Sequence, residues 1–160
     1  MMNYKQYIKD VPDFPKEGIS FKDISPLLSS DKFPQMIMDM RKLVQQPDYW
    51  VGIDARGFLF AGALAYEYGG GVIMCRKKGK LPPPVESYSY QLEYGEDTLE
   101  MKQGEGTVVI VDDVYATGGT MEAVEKLCKK AGYEVIDKLC LIDLLYLHDD
   151  IKCKSLVQYE

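Results

Sequence analysis

Residues 107–120 read TVVIVDDVYATGGT, and the reading of this stretch decides the fold. Thr107, Val108, Val109, Ile110 and Val111 form a β-branched run, with Gly104 and Gly106 before it and Asp112 and Asp113 after it. Such a run suits a parallel strand buried on both faces, and the two acids stand where that strand is expected to end. Met121, Val124, Leu127, Cys128 and Ala131 then recur at helical spacing. The order is strand, small-residue loop, helix. Ala116, Thr117, Gly118, Gly119 and Thr120 make the loop, and its chemistry suits a phosphate. The glycines allow close backbone approach, the threonines offer hydroxyls, and the helix N-terminus presents unpaired N–H groups.

The acids need a separate explanation, because carboxylates repel a phosphate. They make sense if the ligand also carries diol hydroxyls, since an ionised carboxylate only accepts hydrogen bonds. A ribose 5-phosphate has that layout. The plainer reading, exposed acids before a glycine-started helix, fits a bare Gly-Gly. It fits less well a run of two acids, two variable residues and ATGGT. Residues 108–120, VVIVDDVYATGGT, resemble the phosphoribosyl pyrophosphate (PRPP) signature of type I phosphoribosyltransferases.

The 160 residues are enough for one domain with a sizeable core, so residues 1–160 are expected to form a single domain. A composition of 46% hydrophobic and 28% charged residues is that of an ordinary soluble protein. No apolar run approaches membrane-spanning length, and MMNYKQYIKD lacks the apolar segment of a signal peptide. Cys75, Cys128, Cys140 and Cys153 form no C-x-x-C pair, which points to reduced thiols in a cytoplasmic protein. The net charge of −6 argues against generic nucleic-acid binding. An anionic substrate therefore needs a local basic patch, and Arg76, Lys77, Lys78 and Lys80 supply one.

Along the chain, residues 3–10 read as a short helix stopped near Pro12, and residues 13–26 as irregular backbone carrying Phe14, Ile19, Phe21 and Ile24. A helix is expected from Ser30 or Asp31 to about Gln46, ended by Pro47. Tyr49 to Ile53 reads as a strand, followed by the turn Asp54-Ala55-Arg56-Gly57-Phe58 and an apolar helix to about Tyr68. Arg56 beside Gly57 suits a diphosphate, because its fork donates in pairs. Val72 to Cys75 is a further strand, residues 87–101 alternate as a hairpin with a turn near Gly95, and Gly132 ends the helix after the loop. Glu134 to Leu145 and residues 156–159 complete the strands. His148, the only histidine, is given no catalytic role.

Four blocks in family order resemble adenine phosphoribosyltransferases. DFPKEGISFKDISP (residues 13–26) resembles the purine-binding segment, which implies Phe21 stacking on adenine with Ser20 and Lys22 giving main-chain contacts. The Asp54 to Phe58 turn resembles the pyrophosphate loop and RKKGKLPPP the basic segment, implying diphosphate contacts from Arg56, Arg76, Lys77 and Lys80. SYSYQLEYGEDTLEM resembles the mobile lid, which makes Glu93 and Tyr94 catalytic candidates beside Arg56. The signature assigns PRPP to Asp112, Asp113, Ala116, Thr117, Gly118, Gly119 and Thr120. The chain departs from common family usage at Lys22, Asp54 and Pro83, and is shorter around residues 103–106 and 148–154.

The resemblance implies a parallel twisted α/β sheet flanked by helices, with an N-terminal hood over residues 1–26 and a basic loop and β-hairpin lid over 76–101. It implies the reaction of adenine with PRPP to give AMP and pyrophosphate, with Mg²⁺ carried by PRPP rather than by protein ligands, in a homodimer. Ala116 favours adenine, because related 6-oxopurine transferases carry an aspartate there. The alternatives are a phosphoribosyltransferase for another base and a PRPP-sensing, nucleic-acid-binding regulator on the same fold. A P-loop NTPase is disfavoured, since G-x-x-x-x-G-K-[S/T] is absent.

Overall fold

The computed structural model describes residues 2–92, 95–149 and 152–160. Its backbone falls into two compact units, one ending at Asp39 and the other beginning at Met40.

In the first unit, Lys9–Pro12 (β1) and Ser20–Asp23 (β2) pair antiparallel, with Val11 opposite Phe21. The helix expected over residues 3–10 is instead a 3₁₀ turn, Tyr4–Tyr7, capped by the Asn3 side chain, followed by β1. The backbone partners of β1 lie eight to fourteen residues away, so no local signal announced the strand. Ser25–Leu28 (α1) follows, and Phe33–Arg41 (α2) carries the chain into the second unit. The Tyr4 hydroxyl donates to Asp39 Oδ2 at 2.5 Å. Burial and the Asp39 carboxylate both push its pKa up. The helix expected to reach Gln46 stops at Arg41. Leu43 and Val44 turn back on the carbonyls of Met40 and Arg41, and the Arg41 guanidinium donates to Val44 O at 2.8 Å.

The second unit comprises Tyr49–Ile53 (β3), Gly57–Tyr68 (α3), Gly71–Lys77 (β4), Glu86–Leu92 (β5), Gly95–Met101 (β6), Gly106–Tyr115 (β7), Gly119–Ala131 (α4), Tyr133–Leu144 (β8) and Lys154–Tyr159 (β9). Among the described residues seven strands form one sheet, in the order β5-β6-β4-β3-β7-β8-β9. The pairs from β4 to β9 are parallel, and the β5–β6 hairpin joins antiparallel at the β4 edge.

Helices cover both faces of this sheet. Val51, Ile53, Val108 and Ile110 pack with Met121, Val124, Leu127 and Cys128 of α4. The alternate residues, including Trp50, Val109 and Val111, are also buried and belong to the face on which α3 lies. Double coverage is why these strands read as continuous apolar runs rather than alternating ones. α4 ends where expected, at a left-handed Gly132 whose N–H caps the carbonyls of Cys128 and Lys129. β7, however, does not stop at Val111. It continues through both acids to Tyr115, because β8 keeps pairing with it as far as Tyr115 opposite Asp143. Among the described residues no helix is long and apolar enough to cross a membrane.

Candidate active site

The expected site residues of the second unit that the structure describes lie in or just past the C-terminal parts of parallel strands, where open α/β sheets bind ligands. At the end of β7, Ala116 and Thr117 lead to Gly118, which caps α4 with φ +93°. A Cβ built on Gly118 would stand 2.5 Å from the Tyr115 hydroxyl, so glycine is required both for the backbone and for the space. The Gly118 carbonyl accepts from Glu122 N–H at 2.9 Å, which starts the helix. A small cleft of about 90 Å³ is lined by Asp112 and residues 114–121. The N–H groups of the first turn of α4 and the Thr117 and Thr120 hydroxyls make it an anion cradle.

The two acids have different environments. Asp113 is 5% exposed, and its Oδ2 accepts from Arg56 Nε on the turn after β3. This contact joins the two loops that sequence reading assigned separately, one to the ribose and one to the diphosphate. Asp112 accepts from the Asp113 backbone N–H through Oδ1 and packs near Gly57. Burial and the neighbouring Asp113 charge hold its carboxyl well above the ordinary range, with Arg56 opposing them.

The basic segment begins inside β4 rather than after it, since Arg76 and Lys77 are the last residues of that strand. Arg76 Nε lies 3.6 Å from Asp54 Oδ2, and its guanidinium stands over the Phe58 ring at 5.9 Å. The Lys77 backbone N–H reaches the same carboxylate at 3.5 Å, while its ammonium lies 3.6 Å from Asp97. Asp54, whose role the sequence left open, therefore ties the Arg56 turn to the basic segment. Lys80 is exposed at the following turn, and its carbonyl accepts from Arg76. Gly79 N–H donates to the buried Glu100 of β6 at 2.7 Å, which fixes that turn on the hairpin.

The hairpin itself is laid along α4. Lys130 donates to the Ser87 carbonyl at 2.8 Å, Lys126 stands over the Tyr88 ring at 5.8 Å, and Tyr90 Oη is 3.4 Å from Thr120 Oγ1. Tyr90 thus touches the cradle, which sequence reading missed; alternation alone does not say which hairpin tyrosine faces α4. The catalytic candidates Glu93 and Tyr94 lie outside the described residues. The chain matches the family model of the phosphoribosyl transferase domain over residues 34–157. An adenine phosphoribosyltransferase of Hydrogenovibrio crunogenus is 48% identical over an aligned length of 165 residues, spanning 97% of this chain and 95% of that one. The chain belongs to the adenine phosphoribosyltransferase family.

Solved adenine phosphoribosyltransferases share its fold. That of Thermoanaerobacter pseudethanolicus has a TM-score of 0.90 at 41% identity and covers 98% of both chains. That of Saccharomyces cerevisiae, solved in complex with D-2,5-dideoxy-2,5-imino-altritol 1,6-bisphosphate and adenine, has a TM-score of 0.84 at 31% identity, covering 96% of this chain and 97% of that one. The helix-flanked, largely parallel sheet expected from the sequence is the type I phosphoribosyltransferase fold observed.

In the first unit of this family member, the expected base-binding residues sit on β2. The Ser20 hydroxyl donates to Asp10, and Lys22 Nζ lies 3.2 Å from the same carboxylate, so both side chains are turned to one face of the hairpin. Phe21 points to the other face, edge-on to Phe14 with centroids 5.2 Å apart.

Proposed function

We propose that this adenine phosphoribosyltransferase family member transfers the 5-phosphoribosyl group of PRPP to adenine, giving AMP and pyrophosphate. The observation that carries the reading is the meeting of the turn after β3 with the C-terminal part of β7, through Arg56 and Asp113, beside a cradle at the start of α4. In this reading the 116–120 backbone and hydroxyls hold the 5-phosphate, and Asp112 and Asp113 take the ribose hydroxyls. Arg56, Arg76, Lys77 and Lys80 meet the diphosphate. A guanidinium carries five N–H donors in a fork, which suits an arginine that meets both an acid and a diphosphate. The C–O bond at the ribose anomeric carbon breaks and pyrophosphate leaves with the electron pair. Charge developing on it is stabilised by the preorganised cations. Adenine, stacked on Phe21 with Ser20 and Lys22 offering backbone groups, forms the new C–N bond and loses its ring proton. Glu93 manages that proton, with Tyr94 beside it in a lid that excludes competing water.

Mg²⁺ belongs to this reading as a passenger on the substrate. Among the described residues no three His, Cys, Asp or Glu side chains gather into a cage, and Asp113 is already engaged by Arg56. A metal bound through diphosphate oxygens fits such a site, where it would supply Lewis-acid stabilisation of the leaving group.

We read residues 1–160 as one catalytic domain, with 1–26 supplying the base contacts and 76–101 the basic segment and lid. A homodimer is supported by an apolar surface on the second unit: Leu59 and Tyr66 on α3, and Val72 and Met74 on β4, are all exposed. A cytoplasmic location is supported by four free, buried thiols, with burial pushing Cys128 up to about 12. The acidic balance gives nucleic acid no part in the reading.

The test is AMP formation from adenine and PRPP with Mg²⁺, beside hypoxanthine, guanine and xanthine. Adenine-only turnover, lost in folded Arg56→Ala and Asp113→Asn, is the expected result. Turnover with a 6-oxopurine would overturn the argument from Ala116. PRPP binding without turnover of any base would favour a regulator instead.

A further inference from the structure

Asp143 is among the most buried charged residues of the chain, at 1% exposure, and the reaction described above does not use it. It lies on β8 directly opposite Tyr115, the last residue of β7. After Asp143 the chain makes a 3₁₀ turn, Leu145–Leu147, and returns so that His148 Nε2 meets Asp143 Oδ1 at 2.5 Å. A carboxylate only accepts, so Nε2 carries the shared proton. The bond fixes the plane of the imidazole, which stands edge-on to the Tyr115 ring, with centroids 4.8 Å apart and the planes at 82°. Tyr115 also lies against Gly118: a Cβ there would be 2.5 Å from the tyrosine oxygen and 3.0 Å from Cζ.

These successive contacts connect a buried carboxylate to the backbone of the phosphate cradle. Gly118 needs such support. Its left-handed conformation aims the first N–H groups of α4, and a glycine has no side chain to hold itself in place. We propose that Asp143 and His148 are positioning residues for the 5-phosphate cradle, holding in place the Tyr115 ring that touches Gly118 so that the loop is formed before substrate arrives. The inference rests on residues 116–120 being that cradle. A preformed loop does not have to be ordered by the ligand, so the pair acts on PRPP affinity and not on base binding.

The test uses His148→Phe, His148→Gln and Asp143→Asn in the full chain. Calorimetry gives the Kd for ribose 5-phosphate, and steady-state kinetics give KM for each substrate and kcat. His148→Phe keeps a ring beside Tyr115 but loses the bond to Asp143. It should weaken ribose 5-phosphate and raise the PRPP KM by about tenfold, the scale of one lost charge-assisted hydrogen bond. The adenine KM should stay within about twofold, a factor too small to reflect a lost hydrogen bond. His148→Gln, whose amide N–H can still reach the carboxylate, should recover most of the loss. Variants that melt earlier yet keep the wild-type ribose 5-phosphate Kd and PRPP KM would overturn the proposal, since a merely structural pair does that. Wild-type protein that fails to bind ribose 5-phosphate would overturn the cradle itself. Retained binding in all three variants sinks only the positioning role.

Discussion

Gly57, the first residue of α3, touches β7 so closely that a Cβ there would stand 2.7 Å from the Val111 carbonyl oxygen. Carbon and oxygen normally approach to about 3.3 Å, so Gly57→Ala is short of space by about 0.6 Å. The carbonyl cannot give way. Val111 sits mid-strand, opposite Gly52 of β3 and Leu139 of β8. The first turn of α3 must retreat instead, taking Arg56 away from Asp113. Overpacking costs about 1–3 kcal/mol, offset by up to about 1 kcal/mol from the better helix propensity of alanine. The net loss of about 0–3 kcal/mol lowers Tm by at most about 12 °C for a chain of this size. Activity is the more sensitive readout, because a misplacement of about 1 Å can cost about a hundredfold. We expect kcat/KM for PRPP to fall about ten- to a hundredfold in a protein still folded at the assay temperature. A Gly57→Ala variant with wild-type kcat/KM and unchanged Tm would refute both the close approach and the need for Arg56 to sit against Asp113.

Asp112→Asn should stabilise the protein at neutral pH, because the folded carboxyl has a raised pKa through burial and the Asp113 charge. The folded state binds the extra proton, so wild-type stability falls as pH rises from about 4, the ordinary Asp value, through the raised one. The Tm gap between variant and wild type should be near zero at acid pH and grow toward neutrality; a pH-independent gap would contradict this. Phe21→Ala should raise the adenine KM about tenfold, the scale of one lost base-stacking contact, with the PRPP KM unmoved, and equal effects on both would remove the stacking role. Tyr66→Glu places a charge on the exposed α3 face, where the side chain is 91% exposed, and should shift sedimentation velocity from dimer to monomer; an unshifted dimer would locate the interface elsewhere.

The central loop was legible because each residue in it answers to a local rule. Gly118 needs a positive φ, Gly119 opens a helix, and residues 108–111 are apolar on both faces because two helices cover them. Gly132 stopped α4 for the same kind of reason. What failed to show depended on partners distant in sequence. β7 runs past Val111 because β8 continues beside it, and β1 exists because β2 pairs with it. The tie from Asp54 to Arg76 spans two strands, and that from Tyr90 to Thr120 crosses from the hairpin to α4. His148 looked like a residue of a polar surface loop, but its side chain is only 8% exposed, since Asp143 draws it inward. Composition cannot supply that information, because a lone histidine near two aspartates reads the same whether it points out or in.

The apparent contradiction in the sequence, two carboxylates at the mouth of an anion site, is resolved by how the fold treats each one. Arg56 stands on Asp113, so that acid meets the substrate region already paired with a cation. Asp112 is pushed toward its neutral form by burial and by Asp113 itself. The strand end that formally carries two negative charges therefore presents less than that to an approaching phosphate. Burial and proximity produce this together: farther from Asp113, Asp112 would lose one of the causes that raise it, and with Arg56 one turn away Asp113 would carry its charge without that cation. In the proposed reading, the arginine assigned to the diphosphate is thus also the group that pairs the acid assigned to the ribose. The close approach of Gly57 to β7 is what puts that arginine there.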